Sequence, residues 1–328
     1  MRALVTGGAG VIGSHLVTAL VRQGHDVLVL DDMSAGCRAN LPEDAEVIEA
    51  SVLDRRALAS LFNGNCFDWV FHLAASFANS ASVEDPDHDL AVNALGTLRL
   101  AEQIVSARQA ARVKALVYTS TSCVYGNCRG AVSETAPTNP GTPYAASKLL
   151  GEHYLQYVSR AHGLPLVVLR LFNVYGPGEY PTPQRGVITR FIRAALSREP
   201  LVITGSGSET RDFTFVDDAV TAILAAAARS SEVPQTYNVG TGRRTRIKDV
   251  AHAIVRLTGS SSRVVYEPRR AWDVVAHRQA DISRAQRGLG FRATTLLQEG
   301  LPETVGWLYS VLRSADMTTP VVAGAGKW

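Results

Sequence analysis

Tyr144 and Lys148 stand four residues apart in Tyr144-Ala145-Ala146-Ser147-Lys148, a spacing that puts both side chains on one face of a helix, one turn from each other. An ammonium near a phenol stabilises the phenolate and lowers a pKa that is ordinarily about 10, making Tyr144 a usable base near neutral pH. A second group is the hydroxyl run Thr119-Ser120-Thr121-Ser122, followed by Cys123. It closes an apolar run that reads as a strand, and hydroxyls at the carboxyl edge of a parallel sheet face the crevice where such sheets bind ligands. A third group is Gly7, Gly10 and Gly13, with Val11 and Ile12 between the last two. Tight turning, close approach to a pyrophosphate and close helix packing each need a missing side chain, and the helix N-terminus adds N–H donors. The next strand ends in Asp31 and Asp32. A carboxylate there accepts hydrogen bonds from ribose hydroxyls and would repel a 2′-phosphate, so the expected cofactor is NAD rather than NADP.

These groups meet only if the chain alternates strand and helix. Apolar runs at 3–6, 27–30, 47–49, 69–73, 115–119 and 166–170 are separated by segments of helical period at 11–22, 55–62, 89–107 and 145–161. That order calls for right-handed crossovers, a parallel sheet and helices on both faces. The expected fold is α/β: a Rossmann-type doubly wound parallel sheet with a smaller α/β substrate-binding lobe. Residues 1–173 form the expected NAD-binding domain and 174–315 the lobe, with the change marked by Gly176-Pro177-Gly178. The strand, Ala-rich helix and strand within 212–240 could return to the first sheet. Residues 316–328 lack periodicity and read as a flexible tail. Leu73, Ala74 and Ala75 end the fourth strand with small side chains against which a cofactor can lie, while His72 reads as a structural histidine.

Composition narrows the function. The 328 residues are 46% hydrophobic and 19% charged, and 33 Lys and Arg against 30 Asp and Glu leave a formal charge of +3 without long runs of one sign. A nucleic-acid partner is not expected; a small molecule is. The longest apolar stretch, 219–228, is broken only by Thr221 and is far short of the ~20 residues of a membrane span. The first residues run straight into the Gly-rich turn, leaving no room for a secretory signal, so a cytoplasmic location is expected. Cys37, Cys66, Cys123 and Cys128 lack metal-ligand spacing, and they read as free thiols with no metal site.

Taken together, these pieces resemble the extended short-chain dehydrogenase/reductase family, specifically its NAD-dependent nucleotide-sugar epimerases and dehydratases of the UDP-glucose 4-epimerase type. The resemblance rests on residues 6–15, 93–97, 119–126, 144–148, 170–178, 211–213 and 237–242. It implies that Tyr144 takes the proton of a sugar 4-hydroxyl during hydride transfer to NAD. Lys148 then holds the nicotinamide ribose and depresses the Tyr144 pKa, and Thr121 hydrogen-bonds the same sugar oxygen. It also implies cofactor contacts from Ser34, Ser51, Val52 and Asn93, besides the glycine loop, the aspartates and residues 73–75. Asn173 matches a substrate-contacting position, and Arg211 and Arg270 match arginines that grip the nucleotide diphosphate, a task suited to bidentate guanidiniums. A homodimer through helices 89–107 and 145–161 is a further implication.

The family divides after the keto sugar, and Ser122 and Cys123 decide the expectation. Related 4,6-dehydratases carry Asp-Glu after the Thr, and related decarboxylases commonly keep a Glu where Cys123 stands, because elimination needs an acid and a base. An epimerase needs neither, so 4-epimerisation is expected; the alternative is a 4,6- or 5,6-dehydratase or a decarboxylase using the same oxidation step. Ser51 replaces a common Asp, Phe77 replaces a Lys of several epimerases, and the loop 178–185, with Arg185, departs from the hexose-epimerase pattern.

Overall fold

Seven strands position the site: β1 (Arg2–Thr6), β2 (Asp26–Asp31), β3 (Glu46–Glu49), β4 (Trp69–His72), β5 (Ala115–Thr121), β6 (Leu166–Leu171) and β7 (Gln235–Val239). In the computed structural model, which describes residues 1–315 except 108, 110, 111, 129, 183, 184, 232 and 274, they form one parallel sheet ordered β7-β6-β5-β4-β1-β2-β3. The tail expected at 316–328 lies outside the described residues. Strand order turns back between β1 and β4, opening a crevice at the carboxyl edge there.

The inner strands are apolar on both faces because both faces are covered, whereas the edge strand β3 carries an exposed Glu46 and Glu49 at its ends. Ala3, Val5 and Val29 pack with Leu16, Val17 and Leu20 of α1 (Val11–Arg22). Leu4, Leu28 and Val70 point the other way, toward Leu58 and Leu61 of α2 (Arg55–Phe62), Leu100 and Ile104 of α3 (Thr97–Ser106) and Leu155 and Val158 of α4 (Pro143–His162). The expected helix at 89–107 is in fact Pro86–Leu90, a π-helical turn over Ala91–Gly96, and α3. The strand expected to stop at 119 runs on, because Ser120 and Thr121 pair with Arg170 and Leu171.

In the second lobe α5 (Val187–Leu196) is followed by α6 (Val216–Ala228), which leaves the lobe to pack beside α1 and leads into β7. α7 (Ile247–Thr258) and α8 (Leu297–Ala315) close the lobe over Phe191, Ile192, Ile203, Phe213, Val250 and Leu308. Among the described residues no helix is long and apolar enough to cross a membrane.

Candidate active site

The turn after β1 is built around two glycines that admit no side chain. Gly7 has φ +71°, and a Cβ there would lie 2.5 Å from the Ala74 backbone nitrogen; a Cβ on Gly13 would lie 2.1 Å from the Gly7 carbonyl. Gly10 is less crowded, its nearest neighbour being the Gly7 carbonyl at 3.3 Å. It caps α1 without a side-chain bond, and the first turn carries no acidic residue, so the helix N-terminus is left open to an anion. Asp31 locks the loop: its carboxylate accepts from the backbone N–H of Ala9 and of Met33, each at 2.9 Å. Burial pushes its pKa above the ordinary carboxylate value. Asp32 accepts from the Ser34 N–H at 3.0 Å and hydroxyl at 2.5 Å.

Tyr144 and Lys148 sit in the first turns of α4, which begins at Thr142, whose hydroxyl accepts from the Ala145 N–H at 3.3 Å, with Pro143 in the first turn. The Thr121 hydroxyl, at the end of β5, lines the same cavity as the Tyr144 phenol and accepts from the Cys123 N–H at 3.2 Å. Lys148 is 1% exposed, and its Nζ stands 4.1 Å from the centroid of the Tyr118 ring. Burial drives the ammonium down to about 7, against the opposing fields of Glu152 and Asp89. Burial, seconded by the Cys123 thiol, raises the Tyr144 phenol well above its usual value, while Thr121 works the other way. Desolvation is the largest influence on the phenol. His72 is fully buried between the hydroxyls of Thr6 (2.7 Å) and Thr97 (2.8 Å), and burial lowers it to about 3, so it stays neutral.

Across the cavity the second lobe contributes cations. Arg211 donates from Nη1 to the Thr210 carbonyl at 3.0 Å, and its Nη2 lies 3.7 Å from the Asp273 carboxylate. Burial and the neighbouring Arg278 bring its pKa down to about 10, so an incoming anion would relieve it. Arg190 and Arg278 each bury an Nε with no partner among the described residues. Asn173 has φ +32° and donates to the Asp212 carbonyl at 3.0 Å, while the Asp212 carboxylate accepts from the N–H groups of Thr241, Gly242 and Ala280. The Cys123 thiol accepts from Arg278 Nη1 at 3.2 Å and Asn79 Nδ2 at 3.8 Å. A cradle for a dinucleotide thus faces an arginine-lined wall across a cavity of about 500 Å³.

Comparison with known proteins matches residues 3–240 to the NAD dependent epimerase/dehydratase family. The chain belongs to that family. It is 38% identical over 312 residues to a UDP-glucose 4-epimerase of Mycolicibacterium smegmatis, covering 93% of this chain and 97% of that one. It is 33% identical over 324 residues to a UDP-N-acetyl-alpha-D-glucosaminuronate decarboxylase of Bacillus cytotoxicus, covering 94% and 98%. Its fold matches the crystal structure of a UDP-glucose 4-epimerase with UDP-glucose from Thermotoga maritima at TM-score 0.90 and 35% identity, over 95% of this chain and 100% of that one. The protein is therefore an NAD-dependent enzyme of the nucleotide-sugar epimerase/dehydratase family, and the open α1 terminus and side-chain-free Gly7–Gly13 cradle fit that cofactor.

In this epimerase/dehydratase, the cavity wall includes Gly7, Gly10, Val11, Ile12 and Gly13, the aspartates 31 and 32, Ser34, Val52, and Leu73, Ala74 and Ala75. Thr121, Ser122, Cys123, Tyr144, Lys148, Asn173, Arg211 and Arg270 line the same cavity. Ser51 and Asn93, two further expected cofactor contacts, are not among the residues lining this cavity. The Ser51 hydroxyl accepts from the Leu53 N–H at 3.2 Å, and Asn93 is fully buried, its Nδ2 donating to the Ser76 carbonyl, Asp89 and Ser147 while its Oδ1 has no partner among the described residues. Asn93 supports the site from behind instead, joining the π-helical turn to α4. Arg190 and Arg278 line the cavity and were not singled out by sequence, because an isolated arginine outside a motif reads as a solvated charge. Arg185 reaches back to the cofactor side, donating to the Ala35 carbonyl at 2.8 Å with its guanidinium 5.3 Å from the Phe77 ring centroid.

Proposed function

We propose that the protein interconverts the C4 epimers of a nucleotide-diphosphate sugar through a transient 4-keto sugar, with NAD regenerated in each cycle. The observation carrying this reading is the chemistry around Tyr144: Thr121, Ser122, Cys123 and Asn173 share its cavity, and no carboxylate stands in the Thr121–Cys123 run. None of the cavity carboxylates belongs to the Thr121–Cys123 run: Asp31 and Asp32 bond backbone and Ser34, Glu179 bonds Thr189, Asp273 pairs with Arg211 and Arg269, and Glu209 accepts from Ser206 through Oε1 while its Oε2 has no partner among the described residues. Two further carboxylates are buried at the catalytic helix: Asp89, held by Ser147 and Asn93, and Glu152, on α4 itself, held by Arg170 and Ser120. Loss of water or carbon dioxide would lack the acidic side chain that related enzymes use.

Bound NAD supplies reversible hydride acceptance. Tyr144 removes the proton of the 4-hydroxyl and later returns it, Thr121 orients that oxygen, and Lys148 stabilises the ionised phenol from the next turn of α4. Arg211 and Arg270 hold the diphosphate, leaving the sugar free to turn between the two hydride transfers. Incubation with uridine, thymidine and guanosine diphosphate sugars, read by mass spectrometry and proton NMR, is expected to give an unchanged mass with inverted C4. Product lighter by water or by carbon dioxide would overturn the reading.

A second copy of the chain is the proposed partner of the outer face of the 79–106 helices and α4. Val83, Leu90 (49% exposed), Leu95 and Tyr157 (67% exposed) lie there, accounting for four of the ten exposed large hydrophobic residues among those described. Light scattering is expected to give twice the chain mass for the wild type and the single mass for a Leu90→Arg, Tyr157→Arg variant; a monomeric wild type would refute the dimer.

A further inference from the structure

The Cys123 thiol has no part in the proposed epimerisation, yet its surroundings are specific. It is 9% exposed, and that exposure opens onto the cavity that also holds Tyr144 and Thr121. Arg278, 8% exposed, lays Nη1 3.2 Å from the sulfur, and Asn79 approaches with Nδ2 at 3.8 Å. The Arg278 Nε–H in the same cavity wall is buried and has no acceptor among the described residues. A guanidinium beside a thiol favours the thiolate, and a spare donor next to it is placed to take developing negative charge.

We propose that Cys123 and Arg278 form an oxidant-sensitive site in the sugar-binding end of the cavity, at which hydrogen peroxide converts the thiolate to a sulfenic acid. The sulfur attacks one peroxide oxygen; an S–O bond forms as the O–O bond breaks. Hydroxide leaves and takes a proton from solvent to become water. Sulfur is oxidised by two electrons and the peroxide is reduced. Arg278 Nε donates to the departing oxygen, which gives the orphaned donor its acceptor. The added oxygen then occupies space beside Tyr144 and Thr121, so a sugar is excluded until a dithiol reduces the sulfur. Desolvation opposes the thiolate, but Arg278, Thr121, Asn79 and Arg211 together outweigh it and hold the Cys123 thiol below its ordinary value. Cys128 is also affected by Arg278, yet burial wins there and its thiol is raised.

The site stands on the cavity and not on the reaction, so its test reads mass rather than turnover and is decided even if the epimerase reading fails. The full-length protein is treated with hydrogen peroxide and a dimedone probe, and peptide mass spectrometry follows labelling at each cysteine. Cys66, exposed with Arg112 Nη1 at 2.6 Å from its sulfur, is the internal reference. Labelling at Cys123 is expected in the folded wild type, falling about tenfold relative to Cys66 in Arg278→Gln. A second measurement needs no variant: iodoacetate should modify Cys123 several-fold faster than neutral iodoacetamide, since the guanidinium attracts the anion. Cys123 left unlabelled until the protein is denatured, an Arg278→Gln protein labelled at the wild-type ratio, or equal rates with the two alkylating reagents would each overturn the proposal.

Discussion

Replacing Tyr144 by Phe is expected to lower kcat by about 10²–10⁴-fold while leaving the fold and NAD binding intact, the range associated with loss of a positioned general base. The half-buried ring of Tyr144 occupies a space that Phe fills as well, and only the hydroxyl is lost. Burial holds the phenol well above its usual value, and a cation close to its oxygen is what brings such a group down. Lys148, brought down to about 7, is nevertheless the cation that a phenolate four residues away would recruit. A Lys148→Met protein should therefore also lose turnover, and weaken NAD binding besides, which separates the two roles. Steady-state kinetics with NAD titration monitored by fluorescence checks both; a Tyr144→Phe enzyme within tenfold of wild-type kcat would remove the phenol from the mechanism.

What could be read from the chain before its structure follows from which features are local. The Gly7–Gly13 turn is legible because the steric demands act within a few residues and against the adjoining strand, and the contacts a Cβ would make bear this out at Gly7 and Gly13. The sheet was legible because strands buried on both faces have few alternatives to an apolar run. Side-chain direction was not. Ser51 follows a strand end at the expected place, but a short backbone turn captures its hydroxyl. Asn93 sits within the π-helical turn, and its amide donates to Ser147 of α4 as well as to Asp89 and the Ser76 carbonyl, partners that no spacing argument names. The spacing of Tyr144 and Lys148 gave their shared face, whereas the surroundings that set the Lys148 charge include Tyr118 and Asp89, brought in from elsewhere in the chain, besides Glu152 one turn further along α4. Arg278 lies 155 residues from the thiol that it meets, beyond the reach of any spacing argument.

Glu152→Ala is expected to cost about 3–5 kcal/mol of stability, a large part of the ~5–15 kcal/mol that holds a typical domain. Glu152 lies one turn beyond Lys148 on α4, and its carboxylate accepts from Arg170 Nη2 at 2.8 Å, from Arg170 Nε at 3.1 Å and from the Ser120 hydroxyl. The side chains are 1% and 8% exposed, so removing the carboxylate leaves a charged guanidinium in the core with the Tyr125 hydroxyl, 2.9 Å from Nη1, as its main remaining partner. The same bonds tie α4 to the ends of β5 and β6, and the Tyr125 hydroxyl donates onward to Asn238 of β7 at 2.7 Å. Losing Glu152 should therefore loosen Thr121 relative to Tyr144 and withdraw the negative field that opposes desolvation of Lys148. A Glu152→Met, Arg170→Met double variant removes both charges and should regain most of the stability, because the penalty comes from the unpaired ion rather than from the absence of the pair. It should not regain full turnover, since the field at Lys148 is still missing. Urea unfolding and kcat measured on the single and double variants separate the two effects. A Glu152→Ala protein destabilised by less than about 1 kcal/mol would show that the pair supports neither the core nor the catalytic helix.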